Sequence, residues 1–380
     1  MVRIGLGINH YFLAQWEAAA QELRTAAADF ASCQDDYCLL AAKLWLALVY
    51  FQSQQKERYA ELLEQIFRTK LDKEAQILLK VPSLLGFRDR NMVAPLLLDA
   101  SQKLKDNLLL QGLLAEHGLA GLEYHPGYTL KVQTLGNLRL WRGKEEIGSK
   151  EWQREKALEL FLLLFLNRGK YLPREIIFDT LWPEDDLETA ARNFKVSLNA
   201  VRKALEPDRT AQQTSFYILR SRSNYGFNPQ ASYVLDAEEL ERLIRLGDSA
   251  AHPHHQAELY REAIKLYRGD FLEDLPYLEW VADERERLRS LFLDTADKLA
   301  RYLYEREENE EALKLTELLL QHDPCWEPAY LLQMKIYART NRPFLAVKVY
   351  QRCCAVLDRE LNVTPMPAIE RFYQKLTSKM

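Results

Sequence analysis

Between Arg192 and Lys203 the chain carries hydrogen-bond donors at a spacing that gathers them on one side of a helix. At 100° per residue, Arg192, Val196, Asn199 and Lys203 share an arc, flanked by Lys195 and Arg202, while Phe194, Leu198, Val201 and Leu205 form an apolar stripe on the other side. One face would anchor the helix in its own domain and the other would offer donors and a methyl group. Such a face has the chemistry to read base edges in a major groove. Asn199 is placed to pair with adenine in a bidentate fashion, Arg192 or Arg202 to do the same with guanine, and Val196 to meet a thymine methyl. An ordinary amphipathic helix with solvated Lys and Arg would carry the same residues, so this segment does not decide the matter by itself.

A second segment lies downstream. In SFYILRSRSNYGFNP, Arg220 and Arg222 alternate along an expected strand and so share a face, with Ser223 and Asn224 at a turn before Tyr225-Gly226. Two guanidiniums on one strand face can follow a phosphate ridge or enter a minor groove. Residues 189–228 hold 7 Lys+Arg against 2 Asp+Glu, although the whole chain has a net charge of −4. Acids exceed bases by two in residues 1–126 and by six in 231–380, whereas bases exceed acids by four in 127–230. A basic patch on an acidic chain attracts a polyanion locally and limits indiscriminate binding. Helix and hairpin together favour DNA binding.

The elements that would hold these residues come in three textures. With 380 residues, the chain suits two or three domains. Residues 1–122 are helical in pattern, as in YFLAQWEAAAQELRTAAADF and CLLAAKLWLALVYFQ, and suit stacked antiparallel helix pairs. TLKVQTLGNLRLW then alternates with period two around Gly136-Asn137, the pattern of two strands and a turn. Helical patterns follow over 151–167, about 173–182 and about 187–205, and the hairpin closes the segment. Strands, three helices and a terminal hairpin outline a winged helix over 127–230. Amphipathic helices return over 233–377 with a repeat of about 34 to 40 residues, as in tetratricopeptide hairpins, where Ala312 and Ala346 sit at close helix approaches. The expected fold is mainly α, with tetratricopeptide-like helical repeats at both ends flanking an α+β winged-helix domain.

These residues also resemble known families. Residues 128–230 resemble the OmpR/PhoB-type winged helix in the variety carried by the streptomyces antibiotic regulatory proteins. The matching motifs are LKVQTLGNLRL, RGKYLPREIIFDTLWPED, VSLNAVRKAL and LRSRSNYGF. The resemblance implies that Arg192, Lys195, Val196, Asn199, Arg202 and Lys203 face the groove, and that Arg220, Arg222, Ser223 and Asn224 make the wing contact. It implies further that the loop of Pro183, Glu184, Asp185, Asp186 and Leu187 touches RNA polymerase. The family's wing tip usually has a glycine turn. Here it reads Ser223-Asn224-Tyr225-Gly226, in which Asn tolerates a positive φ. Residues 233–377 resemble the bacterial transcriptional activator domain, through LYRGDFLEDLPYLEWVADERERLR, the run from EEALKLTELLLQHDP to ELNVTP, and PAIERFYQKL. Asn341 and Asn362 replace two family glycines at helix ends. The first segment resembles, in texture, the tetratricopeptide tail of large MalT-like ATPase regulators.

Other sites read more plainly. His252, His254 and His255 form a cluster without partners at metal-ligand spacing and suit a solvated loop. NRGKY lacks the earlier glycines and the hydroxyl residue of a phosphate loop. The glutamates of EREENEE suit a solvated helix junction. The five cysteines are odd in number and without framework spacing, which points to a reducing compartment, and Cys353 and Cys354 read as packing residues. The start lacks the apolar stretch of a signal peptide, and LELFLLLFL is too short to span a bilayer. The expectation is a cytoplasmic, non-enzymatic regulator, with no cofactor and no membrane partner. It would bind double-stranded DNA and RNA polymerase, self-associate on repeated half-sites, and receive a protein or small-ligand effector on its helical repeats. The rival reading is a helical-repeat adaptor whose winged helix docks protein. An unrecognised enzyme comes third.

Overall fold

Helix faces rich in Ala and Leu must be covered, and the first seven helices cover one another. In the computed structural model, which describes residues 1–378 apart from 70 and 72, these are α1 (Val2–Phe12), α2 (Trp16–Ser32), α3 (Asp36–Gln52), α4 (Lys56–Arg68), α5 (Lys73–Lys80), α6 (Arg90–Lys103) and α7 (Leu108–Glu116). The helix α3 is buried almost all round. Its Trp45 is fully enclosed and donates from Nε1 to the Leu85 carbonyl at 2.8 Å. The turns between these helices repeat one geometry. Ala14, Gln34 and Gln54 adopt φ of 56°, 60° and 57°. The following amide in each case reaches back five residues, Gln15 to His10, Asp35 to Phe30 and Gln55 to Tyr50, which satisfies a helix-end carbonyl. At Gly7 a Cβ would lie 2.5 Å from Leu23 Cγ, so α1 and α2 meet where only glycine fits.

The chain divides into two units, 1–130 with 141–233, and 131–140 with 234–380. The first unit holds the helices above and most of the expected winged helix. Two strands open it, β1 (Leu130–Gln133) and β2 (Arg139–Arg142), each crossing a unit boundary; β3 (Glu145–Glu146) pairs antiparallel with Trp141 and Arg142. The helix expected over 151–167 begins as a 3₁₀ turn at Ser149–Trp152. It breaks at Gln153, whose φ is 61°, and resumes as α8 (Glu155–Leu166). Then come β4 (Leu172–Pro173), α9 (Arg174–Leu181), α10 (Leu187–Leu205), β5 (Ile218–Ser221) and β6 (Asn224–Phe227). These last strands make a sheet in the order β4-β6-β5. LELFLLLFL lies in α8 and is buried, and no described helix is long and apolar enough to cross a membrane.

Besides residues 131–140, the second unit holds the end of β7 (Tyr233–Leu235) and continues through α11 (Asp236–Asp248), α12 (Pro253–Leu266), α13 (Ala282–Glu305), α14 (Asn309–His322), α15 (Glu327–Arg339), α16 (Pro343–Leu361) and α17 (Pro367–Thr377). Ala312 and Ala346 are fully buried where helices approach. Asn341 and Asn362 take φ of 59° and 54°, the left-handed helix ends at which Asn is the usual second choice to Gly. Packing departs from the expected boundary near 127 at the hairpin around Gly136. The Asp236 carboxylate accepts from the amides of Thr134 and Leu135 at 2.7 and 3.0 Å, and Asp274 accepts from the Leu138 amide at 3.0 Å. Residues 131–140 thus belong, by packing, with the helices from 234 onward. A boundary drawn along the chain could not foresee bonds made a hundred residues away.

Candidate nucleic-acid interface

The α10 helix is fixed at its start by Asp186, whose carboxylate accepts from the Thr189 amide at 2.7 Å, and this bond holds the carboxyl below its usual pKa. Its stripe of Phe194, Leu198, Val201 and Leu205 is buried as its spacing requires. Phe194 packs on Phe178 of α9, with ring centroids 5.6 Å apart, and edge-on against Tyr225 of β6 at 4.8 Å. Phe165 of α8 meets Phe227 at 5.0 Å. Helix and wing are therefore held by the same aromatic core.

The opposite face is open. Arg192, Lys195, Asn199 and Lys203 are exposed, Val196 is 39% exposed, and none of the four polar side chains has a hydrogen-bond or ion-pair partner among the described residues. Arg202 differs from the expectation. It is half-buried, its Nε has no hydrogen-bond partner among the described residues, and burial first, then Arg209, pushes its guanidinium below the usual range. At 100° per residue Arg202 lies on the flank of the buried stripe, so packing against the domain claims it. It lies within electrostatic reach of Tyr225 and Arg220 and so marks where α10 and the wing adjoin.

The wing turn also departs from the expected one. Ser221 pairs with Asn224 and Arg220 with Tyr225, which leaves Arg222-Ser223 as a two-residue turn. The positive φ, 57°, falls on Arg222 and not on Asn224, which opens β6 as a ladder residue. Arg222 thus stands at the tip, not on a strand face beside Arg220. Arg220 folds back to donate from Nε to the Arg222 carbonyl at 2.7 Å and lies over the Tyr225 ring. Gly226 is required for a different reason: a Cβ there would come within 2.7 Å of the Lys170 carbonyl. Arg220, Arg222 and Ser223 are exposed and Asn224 is half-buried.

The wing base is clamped by Glu206, just past α10. This carboxylate is buried; its Oε1 accepts from the amides of Phe216 and Tyr217 at 2.6 and 2.8 Å and from Ser215 Oγ at 3.1 Å, while Oε2 pairs with Arg209 at 3.0 Å. Desolvation outweighs these partners and raises its pKa. Pro183, Glu184, Asp185 and Asp186 form an exposed loop, braced where Asp185 accepts from Asn193 Nδ2 at 2.8 Å, while Leu187, expected in the loop, is the exposed first residue of α10. Arg154, ahead of α8, was not singled out by pattern. It is exposed and shares a shallow concavity with Lys156, Asn193 and Ser197, so it adds positive charge beside α10. A lone Arg in a turn has no periodicity to reveal it.

Elsewhere, His254 and His255 are exposed near Glu258, and EREENEE spans the junction of α13 and α14. Among the described residues no group of three or more His, Cys, Asp or Glu could hold a metal ion.

Residues 235–377 match the bacterial transcriptional activator domain. Over 250 residues the chain is 26% identical to the regulatory protein AfsR of Streptomyces griseus, a match that covers 65% of this chain and 24% of that protein. The chain therefore spans about a quarter of the length of the curated relative it matches. Mycobacterium tuberculosis EmbR, solved in complex with a low-affinity phosphopeptide, shares the fold: the TM-score is 0.54 at 17% identity, over 66% of this chain and 65% of that one. By these matches the chain carries a bacterial transcriptional activator domain over 235–377 and is similar to AfsR-like streptomyces antibiotic regulatory proteins.

Proposed function

We propose that this chain is a sequence-specific, DNA-binding transcriptional regulator of the activating kind, which reads the major groove with α10 and grips the backbone or minor groove with the β5–β6 wing. The observation that carries this reading is the open face of α10, whose cationic and amide side chains have no hydrogen-bond or ion-pair partner among the described residues, beside a wing tipped by Arg222. Unpaired donors on a rigid helix suit a polyanionic partner that supplies acceptors. The acidic loop Pro183–Asp186, at the start of α10, is exposed and suits contact with RNA polymerase. One winged helix covers a modest interface, so binding as two copies on repeated half-sites would supply the specificity. The work of such a regulator lies in the cytoplasm.

Fluorescence anisotropy with a labelled duplex of random sequence tests the reading. Affinity should fall by about a hundredfold or more between 50 and 200 mM salt if several phosphates are neutralised. Negligible binding at both concentrations would instead favour an adaptor that docks protein through this domain.

A further inference from the structure

We propose that the open cavity bordered by α3, α4, α6 and the loop leaving α10 binds a small organic cation, a protonated amine with an apolar body. The cavity lies wholly within the first unit and measures about 420 Å³, a size typical of small-molecule sites. Tyr50, Phe51, Tyr59, Leu98 and Tyr124 supply apolar and aromatic wall. Set among them is Asp99, half-buried, whose Oδ2 accepts from the Tyr59 hydroxyl at 2.8 Å. Asp99 lines the cavity, and among the described residues no other hydrogen-bond donor reaches its carboxylate. Burial raises its pKa, as expected for a carboxylate short of compensation.

The other charges narrow the occupant. Glu123 and Asp208 add two carboxylates to the lining, and the lining lysines, Lys56 and Lys103, are exposed and form no ion pair with any of the three acids among the described residues. His125 is held neutral near pH 7, since burial lowers its pKa to about 4. An anionic ligand would meet three carboxylates, and a neutral apolar one would leave Asp99 with only the Tyr59 hydroxyl and the nearby Lys103 charge to offset its burial. An ammonium on an apolar body satisfies Asp99 and lies against aromatic faces that attract cations. Asp208, Thr210 and Gln213 come from the segment that Glu206 and Arg209 tie to the wing base. An occupant would therefore touch the helical layer and the root of α10 together.

Calorimetric titration of the full chain at pH 7, without DNA, tests this with three indoles that differ in one group: tryptamine, tryptophol and indole-3-acetate. Tryptamine should saturate one site and bind at least tenfold more tightly than either of the others. Asp99→Asn keeps an acceptor for Tyr59 and should abolish that preference. Ala60→Phe, which fills the cavity from α4, should abolish tryptamine binding while circular dichroism remains that of the parent. Equal binding of the three indoles, no binding of any, or a preference that survives Asp99→Asn would overturn the proposal. Because no DNA is present, any of these results leaves the DNA-reading proposal untouched.

Discussion

At the scale of single residues, Asn199 and Arg222 would separate the two components of the proposed DNA recognition. Asn199 sits on the open arc of α10, and its loss should cost about 1–3 kcal/mol at one base position while leaving random-sequence affinity unchanged. Arg222→Ala should weaken binding to every sequence and reduce the slope of log affinity against log salt by about one. Anisotropy titrations on matched and random duplexes check both. Arg222 also bears a conformational cost, because an L-residue at φ of 57° is strained relative to glycine. Arg222→Gly should therefore raise the free energy of unfolding by about 1 kcal/mol in urea while lowering DNA affinity. The arc itself was legible in the sequence, since helical periodicity fixes which residues share a face. The half-burial of Arg202 and the left-handed tip at Arg222 were not. The first depends on what packs beside the stripe and the second on a strand register that pattern leaves free by one or two residues.

At the scale of elements, the wing keeps its place because Glu206 satisfies two amides and a hydroxyl at its base. Glu206→Ala would strand these donors and Arg209 in a buried site, at a cost of about 3 kcal/mol. Amide exchange should then quicken over 215–227 before it does in α8, and uniform exchange relative to the parent would contradict the clamp. In the sequence Glu206 reads as one more acid after a helix. Its partners at 215–217 become neighbours only when the chain returns. The helices α9 and α10 were legible almost to the residue, because their apolar residues recur at helical spacing. The break at Gln153 lacked such a signal, so a continuous helix was the natural expectation.

At the scale of the whole molecule, the mainly helical fold with an inserted winged helix follows from texture, whereas packing reassigns the opening hairpin to the unit of the helices from 234 onward. Chain order and spatial order diverge there. The join between the N-terminal helices and the winged helix passes through His125, which is buried, packs at a tilt against Phe216 with centroids 4.3 Å apart and accepts from the Gly127 amide at 3.0 Å. Desolvation lowers its pKa from 6.5 to about 4, so the folded chain binds fewer protons than the unfolded one between those values. The stabilisation is complete above pH 6.5 and is lost as pH falls through about 4, a change of roughly 3 kcal/mol. Urea unfolding at pH 7 and pH 4 should show this loss in the parent and a smaller loss in His125→Phe; equal losses would contradict it. The claim on which most depends is that the open face of α10 and the wing tip engage one duplex. Selection of bound sequences from a random duplex pool tests it most directly. The account predicts enrichment of a short motif that Asn199→Ala degrades at one position, and recovery of a pool no different from the input would contradict it.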